Sequence, residues 1–412
     1  MSIVNKIKEK GIAGCAVAVK RRIIKIANKA LVFVYACSPV EKNKIVLESE
    51  GDCCDNAYAI FDYMRKNGYV GKYKIIWLVD EPKNFKNSED VIYVHKQIND
   101  TFSPETIKAL RTCHWYIYDH CNIMAQFKKR KGQVLIYLSH GWGYKASKGS
   151  SLDKCKSVFD FMIATGPLSA EGQSQYWNTP LKKTVIAGYP RLDYLFTKDC
   201  KVQECINKKW HFDQYTKIFF WMPTFRQSKN RDLSEEYNKN ETGLPLFESV
   251  NSLRDFNEFL KQKNSFMVFK LHHLQLELPV FKLKFSNIVV IRDEELQQMG
   301  IQLYQLIQNA DVLISDYSSI SIDYLVIDRP IIYTLDDYEE YDKSRGLFPL
   351  NAVDYMPGYH VYNIDELKTS MEEILNGVDK YSGQRSKIVD KYHKYKDGNS
   401  AKRILDKFGI LK

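Results

Sequence analysis

Residues 311–335, DVLISDYSSISIDYLVIDRPIIYTL, decide how this chain is read. Val312 to Ile314 make a short apolar run of the kind buried in a parallel sheet. The run breaks into Asp316, Tyr317, Ser318 and Ser319, where a helical pattern begins. Pro330 is expected to end that helix, and Ile331 to Tyr333 start a second buried strand. Such a strand–helix–strand unit builds a doubly wound α/β sheet. A strand that feeds hydroxyls and backbone N–H groups into a helix start also suits an anion, and nucleotide phosphates sit there in such sheets. The same residues equally fit a plain capped helix, because Ser and Asp are favoured N-caps.

Outward from this unit, short β-branched runs alternate with helical stretches such as 57–66 and 104–110. Strands are expected at 44–49, 74–80, 91–95, 115–119, 133–139, 161–166 and 184–189. A second series follows at 217–225, 266–274, 288–293, 312–315 and 330–335. The stretch 191–216 reads as a polar helical connection, 226–246 as an exposed loop, and 363–412 as a charged helical tail able to cross back onto the first domain. The organisation this implies is α/β: two Rossmann-like domains at 41–195 and 210–385 facing a cleft, a basic segment at 1–40 and a C-terminal helix at 386–412.

Composition narrows the class. The nine cysteines are scattered and contain no CxxC pair, which argues against a disulfide framework or a zinc site and fits a reducing cytoplasm. The net charge is +10, and residues 1–40 hold eight cations (Lys6, Lys8, Lys10, Lys20, Arg21, Arg22, Lys25 and Lys29) against Glu9 alone. Their apolar runs are shorter than the roughly 18–20 residues of a spanning helix. This head reads as an amphipathic helix on an anionic membrane surface, or as a basic helix packed on the protein's own body. The body has no basic stripe interleaved with aromatics, so nucleic acid is not an expected partner.

Three sets of residues carry candidate chemistry. In YLSHGWGYK (137–145) a strand ends at Ser139, and His140 precedes Gly141 and Gly143. An imidazole at the C-terminal edge of a sheet is placed to take a proton from an alcohol, and the glycines let the backbone approach a ligand. In FKLHHL (269–274), His272 and His273 again end a strand, and alternation lets one of them face a cleft. Arg191, Arg226 and Arg345 stand in turns where a guanidinium fork reaches phosphate. Walker, GxGxxG, HExxH and GxSxG signatures are absent, and Asp336–Asp337 is only a weak metal candidate, so no metal site is assigned.

In order along the chain, SHGWGYK (139–145), AGYPRLDYLF (187–196), WMPTFR (221–226), KLHHL (270–274), ISDYSSISIDY (314–324) with RPIIY (329–333), RGLFPL (345–350) and DGNSAKRI (397–404) resemble the motifs of the CDP-glycerol glycerophosphotransferase family of teichoic-acid primases and polymerases. The resemblance spans roughly residues 44–404 and implies a GT-B fold. It also implies transfer of a polyol phosphate from CDP-glycerol or CDP-ribitol to a lipid-linked or saccharide acceptor, with release of CMP. By that resemblance His140 is the general base. His272, Arg345, Ser318 and Ser319 balance charge on the diphosphate, Gly141, Lys145, Arg191 and Arg226 complete the substrate contacts, and Asp316 orients its loop. The implied location is the inner face of the bacterial membrane. Trp142, Gly143 and Tyr144 depart from the family's HGTPLK pattern. No long additional N-terminal region precedes the motifs, which implies a primase-like single addition or a capsule polymer. The competing readings are a GT-B glycosyltransferase using a nucleotide sugar and a non-catalytic envelope-assembly binding subunit.

Overall fold

The computed structural model describes residues 3–98, 101–120, 122–146, 158–224, 241–271 and 275–411, without side chains at 3–18, 277 and 345. The expected twelve strands all form, most of them shorter than their apolar runs. They are β1 (Glu41–Glu48), β2 (Lys74–Val79), β3 (Val91–His95), β4 (Cys113–Tyr118), β5 (Val134–Tyr137), β6 (Phe161–Ala164) and β7 (Thr184–Ile186), then β8 (Lys217–Trp221), β9 (Ser265–Phe269), β10 (Ile288–Val290), β11 (Val312–Ser315) and β12 (Ile331–Thr334). A thirteenth, β13 (Tyr359–Val361), lies outside the expected set: His360 divides its two apolar residues, so it lacks the continuous run that marks the equally short β7 and β10.

The strands form two sheets, in the orders β3-β2-β1-β4-β5-β6-β7 and β10-β9-β8-β11-β12-β13. Both follow the doubly wound 3-2-1-4-5-6 order, so each reverses direction of winding at one point: between β1 and β4, and between β8 and β11. Burial on both sheet faces explains the unbroken apolar runs. Val312, Leu313 and Ile314 of β11 are fully buried, as are Ile45, Val46 and Leu47 of β1. Each such side chain contributes about 1.5–3 kcal/mol through burial. The second sheet is covered by the amphipathic helix Val250–Gln262, whose Leu253, Phe256 and Leu260 join Trp221, Phe247 and Phe269 in one core.

Contacts divide the chain into two compact units, one of residues 1–140, 158–163 and 405–412, the other of 141–157 and 164–404. The last residues return to the first unit, where Tyr73 Oη donates to Ile410 O and Phe408 packs on Trp115 and Phe161. In the second unit Gly166 lies so close to Tyr392 O that a Cβ would stand 2.4 Å from it. Nearby, Thr165 Oγ1 donates to that same carbonyl. Residues 164–176 are thereby fixed to the helix Ser382–Tyr392.

The N-terminal helix Ile3–Ala36 ends against the helix Pro104–Thr112, where Asn28 exchanges two hydrogen bonds with the backbone of Phe102. Val19, Ile23, Ile26, Phe33 and Val34 are exposed, at 56% to 74% of their surface, and their spacing sets them on one stripe. No helix among the described residues is long and apolar enough to cross a membrane.

His393 is buried in the second unit with Nε2 on Ile322 O at 2.8 Å, and burial lowers its pKa from the usual 6.5. The unfolded chain therefore binds a proton that the folded chain resists, and stability present above pH 6.5 is lost as pH falls toward the lowered value. His393→Gln is expected to flatten the fall in urea midpoint between pH 7 and 5, on a background to which His360, lowered likewise by burial, adds and which Asp193, raised by burial to about 6, opposes. An unchanged slope would remove His393 from this role.

Candidate active site

Both switch points are closed by an aspartate that follows the fourth strand in winding order. In the first unit Asp119, fully buried after β4, accepts from Ala57 N at 2.9 Å and so caps the helix Asp55–Lys66 that follows β1. In the second, Asp316 is also fully buried. It accepts from Thr224 N and Thr224 Oγ1, both at 2.7 Å, and from Ser318 N at 3.1 Å. Its carboxylate therefore ties the segment after β8 to the DYSS turn, a role in holding the loop.

In the first unit, β5 ends at Tyr137 and the chain turns through Ser139, whose φ of 64° is unusual for a residue with a side chain. Asn56 Nδ2 holds that turn by donating to Ser139 O at 2.6 Å. His140 emerges exposed, with Nδ1 3.3 Å from Tyr137 Oη and its ring 4.8 Å from that of His120, edge to face. If Nδ1 carries the ring hydrogen and donates to Tyr137, Nε2 is left with a lone pair for a proton.

In the second unit the glycine loop that follows His140 lies on the DYSS turn. A Cβ on Gly143 would meet Tyr317 O at 2.7 Å and Ser319 N at 2.8 Å. One on Gly141 (φ 109°) would meet Arg191 Nη2 at 2.5 Å and Ser319 Oγ at 2.7 Å. Only glycine permits this approach. The loop is fixed further by Tyr144 Oη donating to Tyr355 O, by Phe348 N donating to Tyr144 O, and by the bridge between Lys145 and Leu347. Ser318 is the N-cap residue of the helix Ser319–Tyr324, and both serines are half-buried. That helix is short. A 3-10 turn, Leu325–Ile327, follows it, and Asp328 in the left-handed region (φ 48°) closes it before Pro330 is reached.

Arg191 is 4% exposed. Its Nη2 donates to Asp323 Oδ2 at 2.6 Å, and the guanidinium lies over the rings of Tyr304 and Tyr189, 4.8 and 5.5 Å from their centroids. Tyr304 Oη also donates to Asp323. The described contacts thus engage this arginine in anchoring the helix after the DYSS turn. Asp323 was not singled out from sequence, although a lone acid on an apolar helix signals a paired partner. His272 and Arg226 lie outside the described residues. Arg345 ends the helix Tyr338–Arg345, with its side chain outside the described set. The late DGNSAKRI motif is a latch: Asp193 accepts from Ser400 N and Ala401 N at 2.8 and 2.9 Å, and Arg403 donates to Ala187 O.

The family model for CDP-glycerol:poly(glycerophosphate) glycerophosphotransferases matches residues 30–408. The chain belongs to that family. It is 23% identical to the teichoic acid poly(glycerol phosphate) polymerase of Bacillus spizizenii, over 95% of this chain and 98% of the relative. It is 22% identical to that organism's teichoic acid ribitol-phosphate primase, over 93% and 96%. Against the poly(glycerol phosphate) polymerase of Bacillus subtilis the identity is 22%, and the chain spans 51% of that relative. Two structures of the wall teichoic acid polymerase TagF match with TM-scores of 0.74 and 0.75 at 18% and 20% identity. They cover 96% and 100% of this chain and 97% and 99% of theirs. The fold of this family member is accordingly GT-B-like, with two Rossmann-like domains.

Gly143→Ala is expected to lower the melting temperature by several degrees, since backbone on both sides blocks the new methyl, an overpacking of about 1–3 kcal/mol. Gly383→Ala, with nothing within 4 Å, is the matched control. Equal melting temperatures for the two variants would contradict the close approach.

Proposed function

We propose that this chain transfers glycerol phosphate or ribitol phosphate from a CDP-alditol to a hydroxyl of a lipid-linked or saccharide acceptor, releasing CMP, in teichoic-acid or capsule biosynthesis. The observation that carries the reading is the family match over residues 30–408, joined to an exposed imidazole at the end of β5. His140 Nε2 takes the proton of the acceptor hydroxyl. The oxygen attacks the phosphorus that bears the alditol, and the bond from that phosphorus to the bridging oxygen breaks. CMP departs with the electron pair. Ser318 and Ser319 offer hydroxyls to the diphosphate, and His272, Arg226, Arg345 and Lys145 supply positive charge or donors. Such a step needs placement and charge neutralisation more than covalent help from the protein.

The donor alditol is assigned by experiment, because identity to a glycerol-phosphate polymerase and to a ribitol-phosphate primase is nearly equal. CMP release is measured with CDP-glycerol and CDP-ribitol in the presence of a lipid-linked acceptor, and product mass reports the unit added. His140→Ala should lose at least about a hundredfold in turnover, within the usual range for a general base. A folded His140→Ala protein with full rate would remove the base. A preference for a UDP- or GDP-sugar over both CDP-alditols would replace the reaction.

The exposed stripe of Val19, Ile23, Ile26, Phe33 and Val34, flanked by Lys20, Arg22, Lys25 and Lys29, supports peripheral binding to the anionic inner face of the membrane. Ile23→Asp with Phe33→Asp should release the protein from phosphatidylglycerol-containing vesicles while leaving its melting temperature unchanged. Undiminished vesicle binding would refute this anchor.

A further inference from the structure

The first sheet changes winding direction between β1 and β4, and there the chain delivers Ser49 to Asp52 after one strand and Asp119 and His120 after the other. His120 has no role in the reading above. Its ring stands edge to face with His140, centroids 4.8 Å apart at 68°, and its Nε2 lies 3.6 Å from Glu50 Oε1. Tyr137 Oη meets His140 at Nδ1. The neighbouring charges are otherwise engaged: Asp119 caps at Ala57 N, and Lys96 pairs with Asp52 at 3.8 Å and with Asp80 at 3.3 Å.

We propose that His120 is a positioning residue for His140, fixing its ring and, with Glu50, stabilising the imidazolium formed when His140 takes the acceptor's proton. This rests on His140 acting as base. Tyr137 Oη at Nδ1 and the T-shaped contact with the His120 ring both bear on the orientation of the His140 ring. When His140 becomes positive, the adjacent aromatic ring and the carboxylate beyond it lower the energy of that charge. At 3.6 Å Glu50 is beyond hydrogen-bond range of Nε2 and largely exposed, so its effect is through space and the smaller of the two.

The test uses the full chain and CMP release from the donor that supports turnover, with kcat and kcat/KM followed from pH 5 to 9. His120→Ala is expected to lower kcat about tenfold with little change in KM and to move the acid limb of kcat/KM to lower pH by about half a unit. The sign follows from a less stabilised imidazolium. His120→Phe should recover part of kcat through packing without restoring the limb. Glu50→Gln should cost less than His120→Ala and move the acid limb in the same direction. An unmoved limb in both His120 variants, or a limb moved to higher pH, overturns the inference. His140→Ala separates the two readings: full rate in that variant removes the base itself, and His120's role with it. Loss of rate there, with a wild-type profile in His120→Ala, removes only the positioning role.

Discussion

The carboxylate of Asp316 is the constraint on which the second sheet's functional edge depends. It is fully buried, and an ionised group in that position must be met by donors or it costs several kcal/mol. The donors come from two segments distant in the chain, Thr224 after β8 and Ser318 after β11. Satisfying one carboxylate therefore fixes the turn that presents Ser318 and Ser319. Asp119 does the same work at the switch point of the first sheet through Ala57 N. The two sheets thus share a strand order and a device for closing the point where that order reverses.

A second buried charge builds on the first. The Asp316 turn starts a helix of six residues, too short to hold itself. Asp323, four residues after Ser319, is clamped by Arg191 and Tyr304. Removing either partner would strand the other at about 3–5 kcal/mol. Gly141 lies against both Arg191 and Ser319, so the glycine loop rests on a surface this pair holds rigid. Two of the motifs that carry the family resemblance, AGYPRLDYLF and DGNSAKRI, also hold packing contacts. Arg191 serves Asp323, and Asp193 serves the helix that begins at Ser400.

Much of this was legible beforehand. Twelve strands were readable because strands buried on both faces become continuous apolar runs, and β13 was not because His360 divides its two apolar residues. Histidine and glycine at a strand end marked the 139–145 segment, since both are unusual where a run of β-branched residues stops. His120 was invisible for the opposite reason. It follows Asp119 in an unremarkable turn, and its significance lies in a ring 20 residues away in sequence. Asp323 likewise has no local mark of its partner, which lies 132 residues distant.

The sequence by itself determined the fold class, the order of strands and helices, and the set of motifs that marks the family, because hydrophobic period and chain punctuation are local properties. Only the tertiary structure decided which charged residues hold the frame and which stand exposed at a strand end. A buried charge is defined by its partner, and the partners of Arg191, Asp316 and Asp193 lie about a hundred or more residues away. The turn that presents His140 is likewise held from a distance, by Asn56 donating to Ser139 O across 83 residues.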